Sequence, residues 1–103
     1  MIKISVLYPN SSGAKFDMNY YVSKHLPMVQ KKLGAALKGV AAEQGVAGGA
    51  PGEAAPFIAI GHLMCDSVET FQSSFAPHAE SIMADVPNYT NVQPTIQISE
   101  VKL

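Results

Sequence analysis

Three histidines, His25, His62 and His78, are the side chains best suited to acid–base work in this chain, because imidazole titrates nearest neutrality. His25 follows Tyr21 by four residues, a spacing at which helical side chains touch. Counted at about 100° per residue, Tyr21, His25 and Lys32 lie along one flank of an apolar helical stripe. Phe71, His78 and Asp85 follow one another at seven-residue steps along the matching flank of a second stripe.

Two such flanks would line a pocket between helices and sheet. There His25 would act as a general base or hydrogen-bond donor, and Tyr21 would orient it or the ligand. His78 would add a second polar contact, with Phe71 and Asp85 beside it. Proton abstraction next to a carbonyl, or from a phenol, suits these groups. The competing reading is that the histidines are boundary residues, each ring half packed with one nitrogen wet. His62 would share one strand face with Ile58, Ile60 and Met64, on either the helix side or the open side of a sheet. Tyr89, after Pro87 and Asn88, either covers the mouth of the pocket or caps a helix–strand junction.

Other chemistries lack their signatures. No His-x-His, His-x-x-Glu-His or Cys-x-x-Cys spacing offers metal ligands, so neither a metal nor a cofactor is expected. Cys65 stands alone, which excludes an intrachain disulfide framework. No Gly-x-Ser-x-Gly elbow occurs, and Gly48-Gly49 lacks the Gly-Lys-Ser/Thr of a phosphate loop. The net charge is −1 with no run of Lys or Arg, so nucleic acid is not an expected partner. No apolar stretch approaches the ~18 residues of a membrane span. The first residues alternate and do not form a signal peptide, so the expected location is cytoplasmic.

The elements that must hold these residues can be read from periodicity. Ile2, Ile4, Val6 and Tyr8 alternate as a strand, stopped by Pro9 to Gly13. Asp17 can cap a helix, with Phe16 placed to pack on Tyr21 as a hydrophobic staple. Met18, Val22, Leu26, Val29 and Leu33 form its stripe, and Gly34 suits its end. Pro27 demands either a kink near His25 or two short helices. Leu37 to Val46 reads as a weak strand, and residues 47–56 as a loop.

Phe57 to Cys65 reads as an interior strand. Asp66 can cap a second helix, with Glu69 completing a capping box. That helix carries Val68, Phe71, Phe75, Ala79, Ile82 and Val86, is broken by Pro77 and ends at Pro87 and Asn88. Thr95 to Leu103 is the last strand, and its shifted phase after Ile98 allows a bulge.

The order is β-α-β-β-α-β in one domain over residues 1–103. It predicts an α+β, ferredoxin-like sandwich, two helices on one face of a four-stranded antiparallel sheet. The other face is left uncovered. Charged residues make up 15% of the chain, against about 25% in an average soluble domain. Pairing of two sheets in a homodimer would account for both.

Phe16-Asp17-Met18-Asn19-Tyr20-Tyr21, followed by His25-Leu26-Pro27-Met28, resembles the first-helix signature of the EthD family. Asp85 to Pro94, then Gln97-Ile98-Ser99-Glu100, resembles its C-terminal segment. The family is named for its association with ethyl tert-butyl ether degradation. The resemblance implies a dimeric α/β barrel and hence a homodimer, but supplies no reaction. The expected function is a pocket for a small hydrophobic ligand, in a cofactor-independent enzyme or accessory factor for degradation of small organic compounds. The alternatives are a non-catalytic binding protein for a hydrophobic metabolite and a structural dimerisation module.

Overall fold

Alternation along the first strand sends Ile2, Ile4 and Tyr8 into the core, and this strand, β1 (Ile2–Pro9), becomes a centre of the sheet. A computed structural model describes all 103 residues. After β1 come a single turn α1 (Met18–Tyr20), a π-helical turn (Tyr21–His25) and α2 (Leu26–Leu33). Strands β2 (Gly39–Gln44) and β3 (Phe57–Cys65) follow, then α3 (Val68–Phe75), α4 (Ala79–Asp85) and β4 (Thr95–Glu100). The sheet order is β2-β3-β1-β4, with antiparallel neighbours throughout. The expected α+β architecture is what the chain adopts.

Local signals explain the first helical arm. The Asp17 carboxylate accepts from the Tyr20 backbone N–H at 3.0 Å, satisfying a donor left free at a helix start. The Phe16 and Tyr21 rings meet edge to face at 5.0 Å, as a hydrophobic staple requires. Pro27 is accommodated by a π turn in a backbone that stays helical from Met18 to Leu33. The Leu26 N–H donates to the Tyr21 carbonyl five residues back, which makes the π turn. Pro27 then lies in the first turn of α2, where its missing N–H has no partner to lose. Gly34, at φ 59°, ends the arm in a conformation that disfavours other residues.

The π turn also rotates the arm. The stripe expected to centre on Val22 centres on Tyr21 instead. Tyr21 is 2% exposed and His25 5%, whereas Val22 is 46% exposed. One extra residue in the turn advances the helix by a position, so Tyr21 stacks over Leu26 in register with the core.

Three further expectations are corrected. Ser67, not Asp66, caps α3, its hydroxyl accepting from the Thr70 N–H at 3.1 Å. Strand β2 spans only Gly39–Gln44, shorter at both ends than Leu37 to Val46. Strand β4 stays in register with β1 through Glu100 and carries no bulge, so the shift in its apolar phase only marks where pairing ends. The irregularity falls between Tyr8 and Pro9, where the register skips Ile58. Ile58 packs on the core and leaves the face shared by Ile60, His62 and Met64.

Candidate functional site

Small residues on β3 and the interrupted helices leave a space between the layers. The cavity has a volume of about 140 Å³. Ile4, Val6 and Leu63 form its floor, Leu26 and Val29 one wall, and Phe71, Phe75 and Ile82 another. No Lys, Arg, Asp or Glu lines it. Met83 on α4 and Ile96 on β4 are its most exposed lining residues, so the way in lies between those elements.

Polar atoms gather at one end. The Tyr8 and Tyr89 hydroxyls share a hydrogen bond of 2.7 Å. The Tyr89 hydroxyl lies 3.5 Å from His25 Nε2. On its other side, His25 Nδ1 lies 2.9 Å from Asp85 Oδ2. The Tyr20 hydroxyl and the Asn88 amide both donate to Asp85 Oδ1, at 2.7 and 2.9 Å. The Tyr21 ring stacks on the His25 ring, with 5.5 Å between centroids and 13° between planes.

The backbone brings these groups together. Tyr89 is placed by a zipper between the segments before α1 and after α4. Phe16 and Thr90 form a β-bridge, and the Asp17 N–H donates to the Tyr89 carbonyl at 2.7 Å. The Thr90 hydroxyl donates to the Lys15 carbonyl at 2.7 Å. Asp85 is the last residue of α4, and the 3₁₀ turn Val86–Asn88 turns Asn88 back onto it. Gly61 opposes the Tyr21 hydroxyl so closely that a Cβ there would fall 2.0 Å from the oxygen.

Charge is arranged with equal economy. Burial would raise the Asp85 carboxyl, but hydrogen bonds from Tyr20, Asn88 and His25 outweigh it and hold the group below its ordinary value. Asp85 is therefore ionised near neutrality and can only accept. His25 must then present Nδ1–H to it, and in the neutral imidazole Nε2 carries the lone pair that faces Tyr89. Burial pushes the phenols of Tyr8, Tyr21 and Tyr89 far above their ordinary value, so all three remain protonated donors. The result is a buried imidazole with a fixed tautomer, backed by a carboxylate and fronted by phenol hydroxyls. Such a group can take a proton from a ligand and hold the resulting charge against Asp85.

Of the residues singled out from sequence, Tyr21, His25, Phe71 and Tyr89 line the cavity together. Tyr89 caps the 3₁₀ turn Val86–Asn88 at the helix–strand junction, its N–H donating to the Val86 carbonyl, and its ring lies at the polar end with 3% exposure. Asp85 belongs to the cluster but stands behind His25 rather than in the cavity wall. Asp85 hydrogen-bonds the imidazole and the Tyr21 ring stacks on it. His78 does not line the cavity; it ends the 3₁₀ turn Ala76–His78, outside the polar cluster. His62 lies on the opposite, uncovered face of the sheet, paired with Ala41 and Ser5 across the strands. There its Nδ1 is 3.2 Å from the Ser5 hydroxyl and its Nε2 is 2.8 Å from Glu43 Oε1.

Tyr8, Tyr20, Gly61 and Asn88 were not singled out by the sequence pattern. Tyr8 had a signal, since it is the inward residue of β1 nearest the turn. Gly61 had another, as a glycine inside an apolar strand often marks a close approach. No three His, Cys, Asp or Glu side chains converge as metal ligands would. No helix is long and apolar enough to cross a membrane.

Comparison with known proteins agrees with this architecture. The model of the EthD domain matches residues 12–93. An EthD-like protein from Ralstonia eutropha JMP134 is 42% identical, with a TM-score of 0.95 over 99% of this chain and 92% of its own. An ethyl tert-butyl ether D (EthD) family protein from Bacillus halodurans C-125 shares 19% identity and a TM-score of 0.74 over 99% of each chain, a likeness of fold alone. No protein with a curated function matches.

Proposed function

The chain belongs to the EthD family, and we propose that it is a cofactor-independent acid–base enzyme acting on a small neutral organic molecule. The observation that carries this reading is the buried His25–Asp85 pair, with Nε2 turned toward the polar end of an otherwise apolar cavity. His25 is the base, Asp85 fixes its tautomer and balances the imidazolium, and the Tyr8 and Tyr89 hydroxyls pass the ligand's proton along to Nε2. An ether offers no proton that imidazole can remove, so the substrate is a weak O–H or C–H acid met in the breakdown of small organic compounds.

Exchange in deuterium oxide tests this. Phenol and cyclohexanone are incubated with the protein, and the hydrogens beside the oxygen-bearing carbon are followed by NMR. Acceleration by the native protein and none by His25→Gln is the expected result. Equal rates with and without native protein would remove the catalytic role. They would leave a second reading, a non-catalytic binding protein, which is supported by the mutual pairing of the polar atoms at the cavity end.

We also infer a homodimer formed through the uncovered sheet face. The low charge content supports it, as do Leu7, Ile60 and Met64, which alternation places on that face.

A further inference from the structure

We propose that the ligand is a neutral, single-ring phenol whose hydroxyl is received by Tyr21. This rests on the cavity reading above and narrows it.

Size sets the first limit. A cavity of about 140 Å³ compares with the roughly 150 Å³ apolar cavity known to take up benzene. One six-membered ring fills it and two do not. Charge sets the second limit. With no Lys or Arg in the lining, a carboxylate or phosphate would be buried without a partner, at a large cost. The ligand therefore enters uncharged. The Phe71 and Phe75 rings, stacked 5.2 Å apart in the wall, favour a flat aromatic ring over a puckered one.

Hydrogen bonding supplies the third limit. Asp85 accepts from the Nδ1–H of His25, so in the neutral imidazole Nε2 is the acceptor. The Tyr89 O–H is then turned toward Nε2, and the Tyr8 O–H toward the Tyr89 oxygen. Every proton in this row is directed toward Asp85. What is left facing the cavity is acceptor capacity. The Tyr21 hydroxyl adjoins that of Tyr8 at this end and directs its own proton along the same row, so its lone pairs are what it offers the cavity. Gly61 makes room for the oxygen itself, since a Cβ there would strike it. A ligand O–H completes the row. A ketone, which only accepts, does not.

Calorimetric titration of the full chain with phenol, toluene, cyclohexanone and benzoate tests the proposal. Phenol and toluene have nearly the same shape, so their difference isolates the hydroxyl. Phenol is expected to bind about tenfold tighter than toluene or cyclohexanone, as one buried hydrogen bond provides, and benzoate is expected not to bind. Tyr21→Phe, which keeps the ring and the packing, should reduce phenol to the level of toluene and leave toluene unchanged. Gly61→Ala, which displaces the hydroxyl without removing it, should do the same. Equal affinity for phenol and toluene, or a phenol preference that survives Tyr21→Phe, overturns the phenol assignment and leaves the cavity reading standing. Failure of all the rings to bind overturns both.

Discussion

His25 Nδ1 and Asp85 Oδ2 lie 2.9 Å apart although 60 residues separate them in the chain. The contact ties the π turn of the first helical arm to the last residue of α4. It therefore joins the two helical arms above the cavity and fixes the imidazole in one step. Neither partner would be held alone. Asp85 needs three donors to remain ionised where burial opposes it, and the His25 ring needs an acceptor at Nδ1 to hold its orientation.

Replacing Asp85 by Asn should cost roughly 1–2 kcal/mol at neutral pH, the range for a charge-assisted hydrogen bond discounted for partial exposure. The native dependence on pH follows from the depressed carboxyl. Its stabilising contribution is complete above the ordinary carboxylate pKa of about 4 and is lost as pH falls through the lower folded value, because only the unfolded chain gains the proton early. Urea unfolding at several pH values should show native and variant curves converging in acid. A constant gap down to the acid limit would mean that Asp85 is not charged in the fold.

Tyr8, Tyr21 and Tyr89 make the opposite prediction in alkali. Burial raises all three phenols, so above about pH 10 the unfolded chain loses protons that the folded chain keeps. Stability is full below that pH and falls beyond it, by up to about 1.4 kcal/mol per pH unit for each tyrosine. Ultraviolet titration should show the three ionising together, at the pH where circular dichroism is lost. Gradual ionisation in a still folded protein would show that water reaches the phenols.

The sequence made the element order legible because each strand and helix repeats its apolar residues at its own period. Phe57 to Cys65 could be bounded to the residue, since its apolar run is enclosed by Pro56 and Asp66. The rotation of the first arm was not legible. Pro27 signals an interruption, but only the Leu26 N–H reaching back to Tyr21 decides that the break is a π turn. That choice moved Tyr21 and His25 from flank to core. The Asp85 partnership was hidden for a different reason, because it depends on how two arms far apart in sequence are docked. His62 was ambiguous because strand alternation identifies two faces but not which one the helices cover.

The uncovered sheet face can be tested by a single charge. Ile60 lies beside His62 on β3 and faces away from the helices. Ile60→Lys should leave the fold intact, since the residue is outside the core, but should break an assembly that buries this face. Sedimentation of the native protein is expected to give twice the 10.9 kDa chain mass, and the variant the mass of one chain. A native monomer, or a variant that stays dimeric, would place any interface elsewhere.

The phase of the first arm gives a paired test in which neighbouring apolar residues behave oppositely. Val22 is 46% exposed and Leu26 is 7% exposed, although a regular helix would put them on one face. Val22→Ser should therefore change stability by less than about 0.5 kcal/mol, as surface substitutions do. Leu26→Ala should cost about 2–5 kcal/mol, because it removes packed methyl groups and enlarges the cavity that Leu26 lines. Denaturant unfolding measures both. Comparable losses would mean that Val22 faces the core and the turn before His25 is an ordinary α turn. Tyr21 and His25 would then return to the flank, and the buried base with them.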